Sequence, residues 1–498
     1  MDPLMKVPKK KQANRQIESK PVLMQKPAAT PKTPSEETRP ALMQKPTEKA
    51  VETRPEFFTP MEPPAKPVPQ YKQTIAQFDG LNRRDVIGNS ESPGMKNMCS
   101  DAYPAIKTRP SRQTIKTFTT ETPRAIFASK KLCGVIGTDF YWDGWAAGNI
   151  KISGLAAGTK CLVDFNGNIL IFPDKKYYDY IGSTSGTFTC PDIDFATVHE
   201  NRVFGVKGSD IYACKMGDFT EWSTFSDPPL QTDSYATDVA GAGDFTGVTT
   251  YAGHVEMFKE QILHELYGQL PSNFKVLEAA KEGASNNNTF AELEGVLFYL
   301  SPEGVKTYAG GYPELISFRL NQKYTSGVAG TDGDKYYFCG YTGSDYELLV
   351  YDPKHGTWHR EDDLNVVDFA YYGGYLYAMA NTGIYKFRAG TETVSWEYKT
   401  PVFDENTFDE KDTVRIRIQA GLAENATLKV YSSYDLAAFT EEKTFTSAAT
   451  KKQNFYLTLA KRHADFFQLK LFGSGDCTIY RIEKLIEIKN EYDDYKEA

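Results

Sequence analysis

Short apolar runs alternate with Gly, Asp and Asn along the chain from about Tyr71 onward. Within most runs, apolar and polar residues alternate, which is typical of half-buried β-strands, and the intervening residues are those that form tight turns. Aromatic residues, which favour strands, make up 13% of the chain, with 31 Tyr and 30 Phe. The pattern therefore predicts an all-β protein.

Seven of the runs share a further feature, an aromatic residue near the end of a strand and usually beside a turn residue. In chain order these residues are Tyr141, Tyr178, Tyr212, Tyr267, Tyr308, Tyr351 and Tyr385. They are separated by 37, 34, 55, 41, 43 and 34 residues. Intervals near 40 residues are typical of a four-stranded propeller blade, so we predict a roughly seven-bladed β-propeller over 127–394. Six or eight blades would also fit, because blade strands can be shared between the two chain ends.

Three of these repeats carry an apolar run just upstream, at 202–206, 296–301 and 375–380, with a short polar turn between the two runs. Each such pair has the pattern of a β-hairpin. An extended leading segment over 71–126 precedes the repeats, and we expect it to contribute to the propeller.

The repeats stop after Trp396, and a second pattern begins. Five alternating runs follow, at 414–420, 426–433, 454–460, 465–473 and 477–489. No helical periodicity separates them, so residues 395–490 are predicted to form an antiparallel β-sandwich. The acidic tail over 491–498 is expected to be frayed.

The first 70 residues differ in composition from the rest of the chain. They hold 14 of the 27 prolines and two aromatic residues, Phe57 and Phe58. The sequence PVLMQKP at 21–27 returns as PALMQKP at 40–46. Such a segment cannot bury enough apolar surface to fold, so we predict a disordered Pro-rich arm over 1–70. The repeated Leu-Met-Gln-Lys is either a docking motif or a drifted spacer.

Charge is unevenly distributed along the chain. The arm has 13 Lys and Arg against 8 Asp and Glu, a balance of +5, and since the whole chain is −8 the remaining residues carry −13. An acidic body is poorly suited to gripping DNA phosphates, which requires Lys and Arg. Seven Cys are scattered without a CxxC pair, which indicates reduced thiols. No apolar run is long enough to span a membrane, and the N-terminus lacks the apolar core of a secretion signal.

Candidate catalytic chemistry is sparse. His355 and His359 are four residues apart, but the intervening residues favour a loop at a strand edge rather than a helix that presents two metal ligands. The Gly-rich run at 240–247 has no following helix or basic residue with which to bind phosphate. The paired carboxylates of a glycosidase are not evident, because the acidic residues cluster at turns such as Asp362 and Asp363. We therefore predict no enzyme activity, no catalytic or metal-binding residues and no cofactor.

Two stretches resemble structural proteins of tailed bacteriophages and prophages. The leading segment contains GLNRR at 80–84, MKN at 95–97, YP at 103–104 and TRP at 108–110. Further along, HELYG at 264–268 is followed by PSNF at 271–274, and GVKTYAGGYPELIS occupies 304–317. The likeness covers about 75–490 and includes SWEYKTPVF at 395–403.

This resemblance implies a tail nozzle, tail hub or packaged-DNA stabilisation protein, located in the virion tail after assembly in the host cytoplasm. It implies a homo-oligomeric ring, typically hexameric, that contacts portal, adaptor or other tail proteins and surrounds the DNA exit channel. DNA would then meet the protein only by passing through an acidic channel, which repels phosphates and lets the duplex slide.

A different class of function also fits the sequence, a propeller that binds a glycan or host receptor. Trp142 and Trp145 lie close together in FYWDGWAAGN at 140–149, and clustered Trp side chains can stack on sugar rings. Packing at a blade junction would explain the same two residues. A receptor-binding protein should bind cells or polysaccharide and lose this binding on Trp142→Ala, whereas a nozzle should co-purify as a ring with portal or adaptor.

Overall fold

A computed structural model describes residues 68–447 and 451–488 of the chain. Apart from short 3₁₀ turns at Ala147–Asn149, Pro271–Asn273, Asn287–Thr289 and Ser317–Leu320, the regular elements of these residues are β-strands, which confirms the predicted all-β class. The predictions for the Pro-rich arm and the acidic tail fall almost wholly outside the described residues. Within the described part, no helix is long and apolar enough to cross a membrane.

The leading segment contributes five short strands. These are β1 (Gln70–Ile75), β2 (Met95–Lys96), β3 (Met98–Cys99), β4 (Ile106–Thr108) and β5 (Gln113–Thr117). Loops rich in Gly, Pro, Asn and Arg connect them, and several residues of the segment, such as Leu81 and Met98, are fully buried.

Seven four-stranded antiparallel sheets follow, named sheets 1 to 7 in chain order. Sheets 1 to 3 comprise β6 (Pro123–Ala128), β7 (Leu132–Ile136), β8 (Asp139–Trp142), β9 (Ile150–Ile152); β10 (Cys161–Phe165), β11 (Asn168–Phe172), β12 (Lys176–Asp179), β13 (Thr184–Thr187); and β14 (Phe195–His199), β15 (Arg202–Lys207), β16 (Asp210–Ala213), β17 (Tyr235–Asp238). Sheets 4 and 5 comprise β18 (Phe245–Tyr251), β19 (His254–Lys259), β20 (Leu263–Tyr267), β21 (Lys275–Ala280); and β22 (Ala291–Leu293), β23 (Val296–Ser301), β24 (Gly304–Tyr308), β25 (Glu314–Leu315).

Sheet 6 comprises β26 (Ser326–Thr331), β27 (Tyr336–Tyr341), β28 (Tyr346–Asp352) and β29 (Thr357–Arg360). Sheet 7 has only three strands from its own part of the chain, β30 (Val366–Tyr372), β31 (Tyr375–Ala380) and β32 (Gly383–Lys386). Its fourth strand is β5 from the leading segment, which pairs with the outer side of β32. The repeating part of the chain is therefore tied at its two ends within one sheet.

All seven tyrosines of the sequence repeat lie on the third strand of their sheets, from Tyr141 on β8 to Tyr385 on β32. The long interval of 55 residues arises from a loop at 214–234 between β16 and β17. The buried Arg202 guanidinium holds this loop by donating to the carbonyls of Cys214, at 2.8 Å, and Asp233, at 2.5 Å. The irregular interval is thus a loop insertion within a regular repeat.

The first strands of the sheets pack against one another in chain order. β6 packs on β10, β10 on β14 and β14 on β18. Between sheets 4 and 6, the 3₁₀ turn Asn287–Thr289 contacts both β18 and β26, and β22 also contacts β26. β26 in turn packs on β30. β30 then returns to pack against β6. Sequential packing of small four-stranded sheets that comes back to its start is typical of propeller-like folds.

The rest of the chain forms two larger sheets. Its strands are β33 (Ser395–Lys399), β34 (Lys411–Leu422), β35 (Thr427–Tyr434), β36 (Thr440–Thr446), β37 (Lys451–Thr458), β38 (Phe467–Ser474) and β39 (Cys477–Ile488). Sheet 8 has the order β3-β4-β39-β34-β37, with β1 also paired to β39, and sheet 9 has the order β2-β33-β38-β35-β36. Both sheets therefore incorporate strands of the leading segment.

The apolar faces of sheets 8 and 9 share one buried cluster, which includes Ile418 and Leu471. The same cluster continues into sheets 5 and 6 through Val305 and Trp358, and it contains Leu81 of the leading segment. The C-terminal sheets are thus joined to the repeating part by continuous apolar packing, which burial of apolar surface stabilises.

Candidate functional site

The first strands of sheets 1 to 7 surround a central cavity of about 420 Å³. Each sheet, or the turn that leads into it, contributes at least one lining residue; among these are Ile126, Asp164, Thr197, Thr249, Asn287, Ala329 and Asp368. A cavity lined by every repeat is a natural position for a binding or catalytic site. The contacts of its charged side chains indicate what it could bind.

Asp368 is the most perturbed carboxyl group of the cavity. Its Oδ2 accepts a hydrogen bond from the Ile126 backbone N–H at 3.0 Å, and its Oδ1 accepts from the Phe369 N–H at 2.9 Å. Burial raises the pKa of Asp368 to about 7, against the opposing effect of these two hydrogen bonds. Through its hydrogen bond to Ile126, the group joins sheet 7 to sheet 1.

The other charged groups of the cavity are engaged in local contacts. Asp164 accepts hydrogen bonds from the Ser129 and Tyr180 hydroxyls. Lys160 forms a buried ion pair with Asp174, with 2.5 Å between Nζ and Oδ2. Within the described residues, no group of three or more His, Cys, Asp or Glu side chains could hold a metal ion. The charged groups described around the cavity are therefore held by contacts within the protein.

A more elaborate arrangement of charged groups lies where the leading segment crosses sheets 6 and 7. We call it the leading-segment junction and define it by Arg83, Asp101, Arg109, Arg112 and their partners. The Arg83 guanidinium donates two hydrogen bonds to the Glu347 carboxylate, at 2.8 and 2.7 Å. Burial would raise the pKa of Glu347, but the hydrogen bonds and charge of Arg83 outweigh it and hold this pKa below its ordinary value.

Two further arginines extend this junction. Arg112 donates to Asp362 at 2.8 Å and also hydrogen-bonds to Glu361, while Arg109 donates to Asp362 at 3.2 Å. Both arginine side chains are 9% exposed, so the carboxylates compensate buried positive charge. The Arg112 guanidinium also stacks over the Phe387 ring, 4.5 Å from its centroid. The junction therefore binds the leading segment to both sheet 6 and sheet 7.

Asp101 forms the third contact of the junction. Its carboxylate accepts from Lys335 of sheet 6 at 2.7 Å and from Arg388, just beyond β32, at 2.5 Å. Burial would raise the pKa of Asp101, but the hydrogen bond from Arg388 and the charge of Lys335 place it well below the ordinary value.

His355 and His359, the two histidines that the sequence spaces four apart, have separate structural roles beside this junction. The His355 ring stacks on Tyr103 at 4.0 Å between centroids, and its Nδ1 lies 3.0 Å from Oδ2 of Asp352. His359 is buried on β29, where burial lowers its pKa to about 3.

Close backbone packing completes the junction at Gly80. Its φ of +80° lies in the left-handed region, and a Cβ at this position would lie 2.4 Å from the Trp358 carbonyl oxygen. The neighbouring Leu81 N–H donates to that oxygen at 2.6 Å, and the Trp358 indole N–H donates to the Ile316 carbonyl at 3.0 Å. Residues of the GLNRR and GVKTYAGGYPELIS motifs are thus linked through one tryptophan.

Trp142 and Trp145 do not form a common surface. The Trp142 indole stacks on Tyr180 of sheet 2, with centroids 5.0 Å apart and planes 6° apart. Trp145 belongs instead to the cluster between sheets 1 and 7, beside Tyr141. Both side chains are partly buried in sheet junctions on different sides of sheet 1, which is the packing role considered for them from the sequence.

The comparisons with known proteins give distant similarities only. No protein-family model and no curated protein matches this chain. Among solved structures, it is similar to an extracellular domain assigned to a one-component system of B. thetaiotaomicron, with 11% identity and a TM-score of 0.41 over 75% of this chain and 60% of that chain. The match thus spans less than two thirds of that protein.

Two other solved structures show that the similar proteins are of different kinds. Hsv2 of Kluyveromyces lactis has 11% identity and a TM-score of 0.35, over 58% of this chain and 96% of that chain. An exo-β-1,3-galactanase of Phanerochaete chrysosporium has 8% identity and a TM-score of 0.25, over 65% of this chain and 95% of that chain. Similarities at this level assign neither a family nor an activity to the chain.

The sequence did not reveal the leading-segment junction. The local sequence places Asp362 at a turn, and it gives Arg109 only as part of the TRP motif at 108–110. The available signal was a pair of arginines within four residues of each other in an otherwise acidic body, which indicates that carboxylates must lie nearby. Their partners are about 250 residues away in the chain, so no local pattern could identify them.

Proposed function

We propose that this protein is a non-enzymatic structural protein of a tailed-phage virion, in which sheets 1 to 7 form a seven-bladed propeller and sheets 8 and 9 a β-sandwich. It acts as a tail nozzle or hub component, assembled as a homo-oligomeric ring, hexameric by resemblance, around the DNA exit channel. Its partners are portal, adaptor or other tail proteins, and it helps to retain or deliver packaged DNA.

The observation that carries this proposal is the leading-segment junction. Residues of the motifs that resemble phage structural proteins, such as Gly80, Arg83 and Arg109, are engaged in joining the leading segment to sheet 6. The same segment supplies strands to sheets 7, 8 and 9. Residues that hold three parts of a chain in one arrangement suit a protein whose role is to maintain shape within an assembly.

The charge distribution supports passage of DNA rather than its capture. Outside residues 1–70 the chain carries a net charge of −13, and tight binding of a duplex would require clustered Lys and Arg. In the proposed ring, part of this negative charge faces the channel and keeps the phosphates from adhering.

Purified full-length protein provides the test. We expect light scattering and negative-stain electron microscopy to show a ring of defined copy number with a central opening, and a 50-base-pair duplex not to bind at physiological salt. Antibody labelling of purified particles should place the protein at the tail. A protein that stays monomeric at about 100 μM, alone or mixed with portal and adaptor, would contradict the proposal. Binding to host cells as a free protein would instead favour the receptor-binding alternative.

A further inference from the structure

A second cavity, of about 500 Å³, lies between sheets 4 and 5, and we call it the 4–5 cleft. Sheet 4 lines it with side chains from β19, β20 and β21, and sheet 5 lines it with the end of β24 and the residues that follow. Its polar and aromatic lining includes His254, Glu256, Glu265, Tyr267, Tyr308 and Tyr312. The HELYG and GVKTYAGGYPELIS motifs, 40 residues apart in the sequence, therefore meet in this cleft.

The tyrosine hydroxyl groups of the cleft already donate their protons to protein acceptors. Tyr267 and Tyr308 both hydrogen-bond to the Glu265 carboxylate. Tyr251 donates to the Gly295 carbonyl at 2.6 Å, and Tyr312 donates to Glu282 at 2.7 Å. These hydroxyls are therefore not available as donors, and the cleft offers a ligand mainly carboxylate acceptors and aromatic ring faces.

Glu256 is a buried carboxyl group of the cleft that is incompletely hydrogen-bonded. It lies directly opposite Glu265 across β19 and β20, so two carboxyl groups face each other on one side of sheet 4. Its side chain is 1% exposed, and among the described residues its Oε2 has no hydrogen-bond partner. An isolated buried carboxylate is costly, and a like-charged neighbour increases that cost.

Carboxyl groups outnumber basic side chains in the described lining of the cleft. Glu256, Glu265 and Glu278 line it, and none of the described lining residues is Lys or Arg. Lys306 lies two residues before Tyr308 on β24, but it is paired with Glu282 and Glu303. Among the described lining residues, His254 is therefore the one side chain that could carry a positive charge.

Aromatic rings surround the same carboxyl groups. Tyr267 and His254 pack with centroids 4.6 Å apart, and Tyr312 is 72% exposed at the mouth of the cleft. A ring face attracts a cation electrostatically, and it also packs against an alkyl chain. A ligand that combines positive charge, N–H donors and a short alkyl chain would satisfy all of these groups together.

We propose that the 4–5 cleft binds an alkylammonium group, with the charged nitrogen between Glu256 and Glu265 and the alkyl chain along the tyrosine rings. The group can belong to a lysine side chain of a protein segment or to a free polyamine. This inference does not rest on the phage assignment, because it follows from the cleft alone. Burial and the neighbouring Glu265 raise the pKa of Glu256 to about 9, and a cation bound between the two carboxyl groups would oppose this by favouring the ionised form.

Titration of the full-length protein at pH 8 tests the proposal. The probes are N-acetyl-lysine methylamide and its uncharged match, N-acetyl-norleucine methylamide. We expect the lysine probe to bind at least about tenfold more tightly than the norleucine probe. Glu256→Gln should weaken binding of the lysine probe by about tenfold or more, while Glu260→Gln, at an exposed glutamate just after the end of β19, should leave it unchanged.

A second variant keeps the test informative if Glu256→Gln alters the fold. Tyr312→Leu preserves bulk at an exposed position but removes the ring face, and it should weaken the lysine probe about two- to fivefold. Equal affinity for the two probes would overturn the proposal. So would undiminished binding in both the Glu256 and Tyr312 variants, or no binding of the lysine probe at about 20 mM.

Two further probes distinguish the source of the ammonium group. One is spermidine, and the other is a peptide of residues 21–27, PVLMQKP, compared with its Lys26→Gln version. Tighter binding of the lysine-containing peptide than of spermidine indicates a protein segment as the ligand. The reverse order indicates a free polyamine.

Discussion

Arg83 and Glu347 are 264 residues apart in the sequence, yet two parallel hydrogen bonds join the guanidinium group to the carboxylate. This bidentate geometry gives a charge-assisted pair that is stronger and more specific in direction than a single neutral hydrogen bond. Tyr324 donates a third hydrogen bond to the same carboxylate at 3.0 Å, and Arg360 lies 3.3 Å from it. The pair therefore fixes where the leading segment crosses sheet 6.

Arg83→Ala should lower the free energy of unfolding by about 2–4 kcal/mol, because it leaves Glu347 buried without its main partner. Replacing both residues, as in Arg83→Met with Glu347→Leu, should recover most of this loss, since no unpaired charge then remains. Urea unfolding followed by tryptophan fluorescence measures both variants. A loss below about 0.5 kcal/mol for Arg83→Ala would show that the pair is not structurally important.

Acid should weaken the leading-segment junction through Asp101. Its pKa in the folded protein lies below the ordinary value near 4, so its contribution to stability is complete above that value and is lost as the pH falls through the folded pKa. We expect the free energy of unfolding to fall between pH 4 and pH 2, by at most about 1.4 kcal/mol per pH unit for this carboxyl. Asp101→Asn should reduce the slope. Asp143→Asn, in the loop after β8 and at an exposed ion pair with Lys131, should not change it.

Glu256 should make the free energy of unfolding depend on pH in the opposite direction. Its folded pKa of about 9 exceeds the unfolded value, so its contribution is most favourable below about pH 4.5 and is lost as the pH rises towards 9. Glu256→Gln should therefore be more stable than the unaltered protein at pH 7, by up to about 3 kcal/mol, with little difference at pH 4. Thermal unfolding between pH 4 and pH 9 measures the stability of both proteins. If their stabilities change with pH in the same way, Glu256 does not have a raised pKa in the folded protein.

Gly80 should tolerate no side chain. Gly80→Ala places a Cβ 2.4 Å from the Trp358 carbonyl oxygen and strains a backbone with φ of +80°, so we expect a loss of about 2–4 kcal/mol. Gly137→Ala is the matched control, because its φ is +64° and nothing lies within 4 Å of the added Cβ. The control should lose about 1 kcal/mol, the cost of the backbone conformation alone. Equal losses in the two variants would mean that contact with Trp358 is unimportant.

The repeating sheets could be predicted because their signals are local. Alternation of apolar and polar residues defines a strand, and Gly or Asn at a turn defines the hairpin that follows. Tyr141 and Tyr385 are 244 residues apart, yet both lie on the third strand of a four-stranded sheet, as the recurring pattern indicated. The five alternating runs after Trp396 likewise correspond to β34, β35, β37, β38 and β39.

The sites depended on contacts that no local pattern encodes. The sequence by itself determined the strands, their period and the acidic character of the body. Only the tertiary structure decided that β5 would complete sheet 7 and that β1 to β4 would join sheets 8 and 9. It also decided that Glu256 would face Glu265 in a cleft that sheet 5 lines on one side. The physical reason is that periodicity specifies which face of a strand is buried, whereas its partner across hundreds of residues is selected by packing and charge in the assembled fold.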